Sequence, residues 1–279
     1  MAVIRRKTVA LVASLVVALA VGVAAGYALW GWPTNWYAFR DPGKLPASEE
    51  NDLIRYGYRL VLETPQIIGP LASDPAMRFA GNKLSCTNCH LNAGLQPFGA
   101  PFVSTFATFP MMVSDKVEHL VDRLESCMTH SLNGKPMPKD GREMQALVAY
   151  IRYVGEGSPE GVRVKGMGLL RLPSAAQAPD AVRGKVVFAE VCARCHGADG
   201  QGQAKTPPGV GYSIPPLWGD DSFNAGAGMA TMEMASAFIR ANMPRGIDYQ
   251  SPILTEQQAW DVAAFVTTQP RPPAPASDN

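Results

Sequence analysis

Two short runs of this chain carry the residues best equipped for chemistry: Cys86-Thr87-Asn88-Cys89-His90 and Cys192-Ala193-Arg194-Cys195-His196. In each, two thiols stand one helical turn apart and so project from the same face. Such a pair can form thioethers to the two vinyl groups of one haem. The histidine that follows directly is then placed to ligate the iron. The same spacing also serves half of a zinc site or a redox dithiol. The chain has only five cysteines and four histidines, too few to complete two zinc sites once these motifs are counted. Four of the five cysteines fall in the motifs, which argues against a disulfide framework. The expectation is two covalently bound haem c groups, on Cys86/Cys89/His90 and Cys192/Cys195/His196.

Each iron then needs a sixth ligand or an open position. For the second haem the candidate is Met243, in Ala241-Asn242-Met243-Pro244. Small class I cytochromes place a thioether ligand on such a loop ahead of their closing helix, and the soft sulfur raises the potential. The alternative is ordinary core packing, with Met229, Met232 and Met234 close by. For the first haem the matching stretch runs from Arg123 to Pro138 and holds Cys127, Met128, His130 and Met137. Cys127 precedes Tyr150 of its closing helix by 23 positions, and Met243 precedes Phe265 by 22, so Cys127 and Met128 both fit. A lone thiol in an exported protein is a liability unless it is buried or ligated. Arg123 lies four residues before Cys127, on the same side if one helix carries both. Its guanidinium either holds an oxyanion beside the sulfur or pairs with a haem propionate.

The elements that must position these groups read as one unit used twice. The class is mainly α: two class I cytochrome c-type haem domains in tandem after an N-terminal transmembrane helix. The boundaries are 1–40 for the anchor, 41–154 for the first domain, 155–182 for a linker, 183–269 for the second domain and 270–279 for a tail. Each copy has a leading amphipathic helix, the haem motif, a Gly-rich loop, a ligand-bearing segment and a closing helix. The closing helices read as Glu143–Tyr153 and Glu256–Thr267. Asp115 and Glu118 have capping-box spacing, and Val117, Leu120, Val121 and Leu124 then form one helical stripe. The Pro-rich tail is expected to be extended and disordered. The net charge of +1 gives no reason to expect a nucleic-acid partner.

Arg5, Arg6 and Lys7 precede Thr8–Trp30, a 23-residue run without charge. About 20 apolar residues span a bilayer as a helix. The basic flank should stay in the cytoplasm, and Trp30, Trp32, Trp36 and Tyr37 suit an outer aromatic belt. The rival is a signal peptide cleaved after Ala18-Leu19-Ala20, which leaves a soluble periplasmic protein. The expectation is a single-pass protein of the cytoplasmic membrane with its haem domains in the periplasm, served by a soluble or membrane redox partner.

Several stretches resemble the dihaem thiosulfate dehydrogenases. Gly57…Leu60…Thr64…Gly69-Pro70 and Gly81 to Gly94, followed by Pro97-Phe98 and Phe109-Pro110, match the first-haem region. Arg123…Cys127…Ser131-Leu132-Asn133-Gly134-Lys135 resembles the segment that carries that family's cysteine ligand. Cys195 to Gly202, Pro215-Pro216-Leu217-Trp218-Gly219 and Asn242-Met243-Pro244 match the second half. The resemblance implies that thiosulfate is joined into tetrathionate, or the reverse, at a haem ligated by His90 and Cys127. Arg123, Lys116 or Lys135 would hold the anion, and a haem ligated by His196 and Met243 would be the electron exit. Cys127 and Arg123 are thus the candidate catalytic residues. The chain departs from the family in reading Met111-Met112-Val113 where a substrate arginine is usual, and Asn242 where some members have a ligand lysine. The competing function is a membrane-tethered electron carrier, or the cytochrome subunit of a respiratory complex, with no substrate of its own.

Overall fold

A computed structural model describes residues 35–113 and 115–276. The segment Thr8–Trp30, expected to be an anchor or signal, lies outside the described residues. Among the described residues no helix is long and apolar enough to cross a membrane. Residues from Tyr37 onward form one compact unit that contains both haem motifs.

The first half is framed by α1 (Glu49–Leu62) and α3 (Arg142–Val154). Ser48 caps α1 by accepting the Asn51 N–H at 3.2 Å, which satisfies an otherwise orphaned donor. Leu60, Val61, Met144, Leu147, Tyr150 and Ile151 are buried where the two helices cross. Gly57 sits at the crossing, where a Cβ would overlap the Ala146 carbonyl oxygen. The second half repeats the device. Here α4 (Ala181–Val187), capped by Asp180, crosses α6 (Glu256–Thr267), and a Cβ on Gly184 would overlap the Asp261 carbonyl oxygen. Phe188, Trp218 and Phe265 pack beside this crossing with centroids 5.2–5.8 Å apart. Asp261 is buried and fixes the entry to α4. Its carboxylate accepts the Asp180 N–H at 2.9 Å and two Arg183 bonds at 2.8 Å. Burial opposes its ionisation, but the Arg183 guanidinium and the other donors outweigh that and hold its pKa below the ordinary value.

Between the framing helices lie α2 (Leu120–Ser126) and α5 (Met232–Asn242), each leading to a candidate sixth ligand. Two small antiparallel hairpins complete the fold, β1 (Met111–Val113) with β2 (Lys116–Glu118) and β3 (Gln203–Ala204) with β4 (Tyr212–Ile214).

Two expectations change. The capping box lies four residues later than its spacing suggests. Asp115 and Glu118 belong to the first hairpin, Val117 is exposed on β2, and His119 begins α2 with its N–H donated to the Asp122 carboxylate at 2.9 Å. The Pro-rich tail is extended but docked rather than disordered through its described part. Pro270 and Pro272 carbonyls accept the N–H groups of Gly219 and Ala225 at 2.8 and 2.9 Å. Arg271 lies over the Phe223 ring at 4.5 Å and donates to the Val266 carbonyl at 2.7 Å.

Candidate haem centres

In the second half, Phe188–Cys192 is a π-helical turn and Ala193–His196 a short helix, so Cys195 and His196 emerge about one turn after Cys192. They line a cavity of about 400 Å³ together with Met243 and apolar side chains such as Ile214, Leu217 and Ile239. His196 Nδ1 lies 3.0 Å from the Pro215 carbonyl. A proton on Nδ1 donated there leaves Nε2 free for a metal. Burial lowers the His196 pKa and the Pro215 bond opposes that shift, the net effect favouring the neutral ring. Met243 ends α5, its N–H donated to the Ile239 carbonyl at 2.9 Å. Met229 lines the same cavity, whereas Met234 is exposed.

In the first half, Cys86–Asn88 is a single tight turn fixed by Ser85 and Asn88. Thr64 binds it to the end of α1. Its hydroxyl accepts the Cys86 N–H at 3.1 Å, lies 3.4 Å from the Cys86 sulfur and donates to the Leu60 carbonyl at 2.6 Å. His90 Nδ1 lies 2.5 Å from the Ala100 carbonyl, the counterpart of the His196–Pro215 pair. The His90 ring packs on Phe102 at 4.6 Å, and Phe102 meets Tyr150 edge-on at 6.3 Å.

Of the four sixth-ligand candidates, Cys127 stands with the haem-binding thiols. A Cys127 thiolate would raise the pKa values of both Cys86 and Cys89, which burial pushes up to about 11 and about 12. Burial also raises the Cys127 pKa; the Arg123 guanidinium pulls against it and Glu118 adds to it. Arg123 influences His90 as well, after burial and the Ala100 bond. Helix α2 passes without a break into a π-helical turn, Cys127–Ser131, with the Cys127 N–H donated to the Arg123 carbonyl. Arg123 therefore lies one turn from Cys127, exposed, its guanidinium with no hydrogen bond or ion pair among the described residues.

Of the other three, the two methionines are buried and the histidine is turned toward the second half. Met128 and Met137 are 2% and 1% exposed core residues. His130 faces Ser126 and the second half, its Nδ1 2.9 Å from the Ser126 carbonyl and its ring against Gly226. Lys135 lies over the Phe79 ring at 5.6 Å. Lys116 is exposed on β2.

The two centres share a wall. Leu84, Thr87, Cys89 and Leu91 of the first half line the cavity that holds Cys192, Cys195 and His196. Around it, buried amides join the halves. Asn82 donates to the Ser131 and Ser222 carbonyls, both at 3.1 Å. Asn224 donates to Thr129 at 2.8 Å, and Asn242 to Phe98 at 2.9 Å.

Sequence reasoning missed Thr64, Phe102 and the carbonyls of Ala100 and Pro215 as partners of the centres. A backbone acceptor leaves no side-chain signature, and Ala100 reaches its place through a left-handed φ of 51° that its residue type does not announce.

These donor sets fit haem c. Each pairs two unbridged thiols with a hydrogen-bonded imidazole and a soft sulfur, and the second encloses them in an apolar cavity. The fold and sites define a dihaem c-type cytochrome with two covalently bound haem c groups.

Comparison with known proteins narrows the class. The family described as SoxA/TsdA, cytochrome c domain, matches residues 78–159, and Cytochrome c matches residues 181–270. The chain is 36% identical over 233 residues to a thiosulfate dehydrogenase of Stutzerimonas stutzeri, covering 83% of this chain and 71% of that protein. It is 38% identical to the thiosulfate dehydrogenase of Thiomonas intermedia, covering 83% and 70%. A solved structure of thiosulfate dehydrogenase (TsdBA) from Marichromatium purpuratum aligns with a TM-score of 0.75 and 33% identity over 86% of this chain. The chain spans 50% of that longer protein. The chain belongs to the thiosulfate dehydrogenase family, a family of oxidoreductases.

Proposed function

We propose that the chain oxidises thiosulfate to tetrathionate at the first haem centre and passes the electrons on through the second. Two thiosulfate ions each give up one electron as their terminal sulfurs join, so one tetrathionate and two electrons result. The haem c groups, when bound, supply a one-electron couple at each centre. Cys86, Cys89 and His90 would hold the first, with the Cys127 sulfur as a further iron ligand; Cys192, Cys195 and His196 would hold the second, with Met243.

Within this reading the chain's own residues bind and orient the anion. Arg123 is exposed one turn from Cys127 and has no carboxylate partner among the described residues, unlike Lys139, which pairs with Asp122 and Glu125 at 2.7 and 3.1 Å. A guanidinium suits an oxyanion because its fixed fork of donors can bond two oxygens of one anion at once. Lys116 and Lys135 would add longer-range attraction. The strand Met111–Val113 supplies no cation, so Arg123 takes on the task left by the missing arginine. The remaining proposal is the address: Thr8–Trp30 as an uncleaved anchor, with the haem centres in the periplasm and electrons leaving to a soluble or membrane redox partner.

The observation that carries the reading is the half-buried Cys127, the thiol outside the two haem motifs, grouped with Cys86 and Cys89 and one helical turn from the exposed Arg123. Adding thiosulfate to the purified oxidised protein should reduce haem, visible as sharpened α-band absorption. Arg123→Ala should raise the thiosulfate concentration needed about tenfold or more, the usual worth of a charged hydrogen bond. Haem reduction that is unchanged by Arg123→Ala assigns that residue to a propionate. No reduction by thiosulfate at all leaves a membrane-tethered electron carrier.

A further inference from the structure

Asn242 stands directly before Met243 and is 3% exposed. Its Nδ2 donates to the Phe238 carbonyl at 3.1 Å, one turn back in α5, and to the Phe98 carbonyl at 2.9 Å in the other half of the molecule. Its Oδ1 is buried and has no partner among the described residues. The residue also borders a cavity of about 220 Å³ with Arg245 and Asn92. The asymmetry shows what the position uses. Both donors are engaged and the acceptor is idle, although an idle buried acceptor costs free energy.

The partner loop is equally informative. Phe98 and Ala100 both take left-handed φ values, 56° and 51°, so the loop is held rather than relaxed. The Ala100 carbonyl meets His90 Nδ1, and the Gly99 carbonyl accepts the Leu91 N–H at 3.3 Å. The loop that receives Asn242 is therefore the loop that orients the first centre's histidine. A second grip comes from the far side of Met243, where the Tyr249 ring meets the Phe98 ring edge-on at 4.8 Å. The residues flanking Met243 on both sides thus hold the same residue, Phe98.

We infer that Asn242 is a positioning residue that fastens the Met243 loop of the second haem centre to the Phe98–Ala100 loop that orients His90 at the first. A thioether–iron bond is weak, and Met243 is followed by the exposed Arg245 and Gly246. A methionine on a free loop yields its place to an outside ligand whenever the loop swings away. Tying the loop to a second rigid loop adds the free energy of breaking those contacts to every such opening. The methionine is thereby retained, and it is held against the neighbouring centre.

The inference rests on the reading of Met243 as axial ligand, and the test separates the two. The readout is imidazole binding to the oxidised full-length dihaem protein, followed by loss of the near-infrared methionine–iron band. Asn242→Leu keeps the branched outline of the side chain and removes both donors. It should raise the imidazole affinity of the second centre about tenfold, the worth of one net hydrogen bond with its orphaned carbonyl. Tyr249→Leu, a half-buried ring on the other flank, should raise it in the same direction and serves if Asn242→Leu fails to mature. Asn224→Leu removes an interface amide of the same kind away from Met243; it should lower Tm and leave the imidazole affinity where it was. The inference is overturned if imidazole affinity is unchanged in Asn242→Leu and Tyr249→Leu, or if Asn224→Leu raises it equally. Met243→Ala should abolish the band; if the band survives there, the ligand reading itself is wrong and Met229, on the same cavity, takes its place.

Discussion

Cys127 is set apart from the other four cysteines by lying outside a Cys-x-x-Cys-His motif, with a guanidinium one turn before it. A thiolate on iron stabilises the ferric state and remains nucleophilic whenever it leaves the metal. Cys127→Ala should therefore keep both haems, since the four thioether cysteines are untouched, while thiosulfate turnover disappears and the potential of the first centre rises. The first centre should also turn high-spin, because the alternatives are engaged elsewhere. Met128 and Met137 are packed in the core, and His130 is held at the junction with the second half. Electron paramagnetic resonance on the oxidised variant checks this: a low-spin signal identical to that of the parent protein would make Cys127 a buried core thiol and no more. At this scale the sequence was informative wherever chemistry needs a particular side chain at a particular spacing. Cys86, Cys89, His90, Cys192, Cys195 and His196 are legible for that reason. Counting from the closing helix left Cys127 and Met128 level, because one position is less than a third of a helical turn and the count does not say which of them faces the haem-binding thiols.

The framing helices depend on two glycines, of which Gly57 is marked in the sequence only by the family resemblance and Gly184 by nothing. Gly57 and Gly184 let α1 and α4 cross α3 and α6 at backbone contact, against the carbonyls of Ala146 and Asp261. Both residues have ordinary helical backbone, so the requirement is for space. Gly184→Ala should force the helices apart and cost about 1–3 kcal/mol, as overpacking generally does. Because Phe188 and Phe265 pack beside that crossing, the second centre should loosen as well. The checks are a lower Tm and a broadened absorption band of the second haem; a Tm within a degree of the parent would mean that the crossing relaxes freely. Helices with a strong apolar face were legible: the reading Glu143–Tyr153 meets Arg142–Val154, and Glu256–Thr267 agrees at both ends. The first hairpin was not. Asp115 and Glu118 have the spacing of a capping box, but Asp115 takes a left-handed φ of 64° and turns the chain back on itself. Paired strands of three residues are too short to leave an alternation in the sequence.

At the scale of the whole molecule the two repeats behave as one body, which a reading of two tandem domains does not convey. The junction is built from polar groups that a hydrophobic pattern cannot reveal: the buried Asn82, Asn224 and Asn242, the Lys83–Asp221 pair at 3.1 Å, and the Tyr212 hydroxyl on the same carboxylate at 2.8 Å. The tail was misjudged for a related reason. Its prolines forbid helix and lack N–H donors, yet the carbonyls of Pro270 and Pro272 are free to accept, and a neighbouring loop supplies the donors. Buried amides of this kind make the halves interdependent, because separating them strands carbonyls in an apolar seam. Thermal unfolding followed at both haems should therefore give one transition. Asn82→Ala is the sharpest probe. It orphans the Ser131 carbonyl in the first half and the Ser222 carbonyl in the second, and it frees the Leu84 N–H that Asn82 Oδ1 accepts at 3.2 Å. The cost should be about 2–4 kcal/mol, or on the order of 5–15 °C in Tm for a unit of this size. The single transition should move as a whole, with the absorption changes of both centres shifting together. Two separate transitions in the parent protein, or a shift confined to one haem in Asn82→Ala, would mean that the halves fold independently and that the amides only decorate their contact.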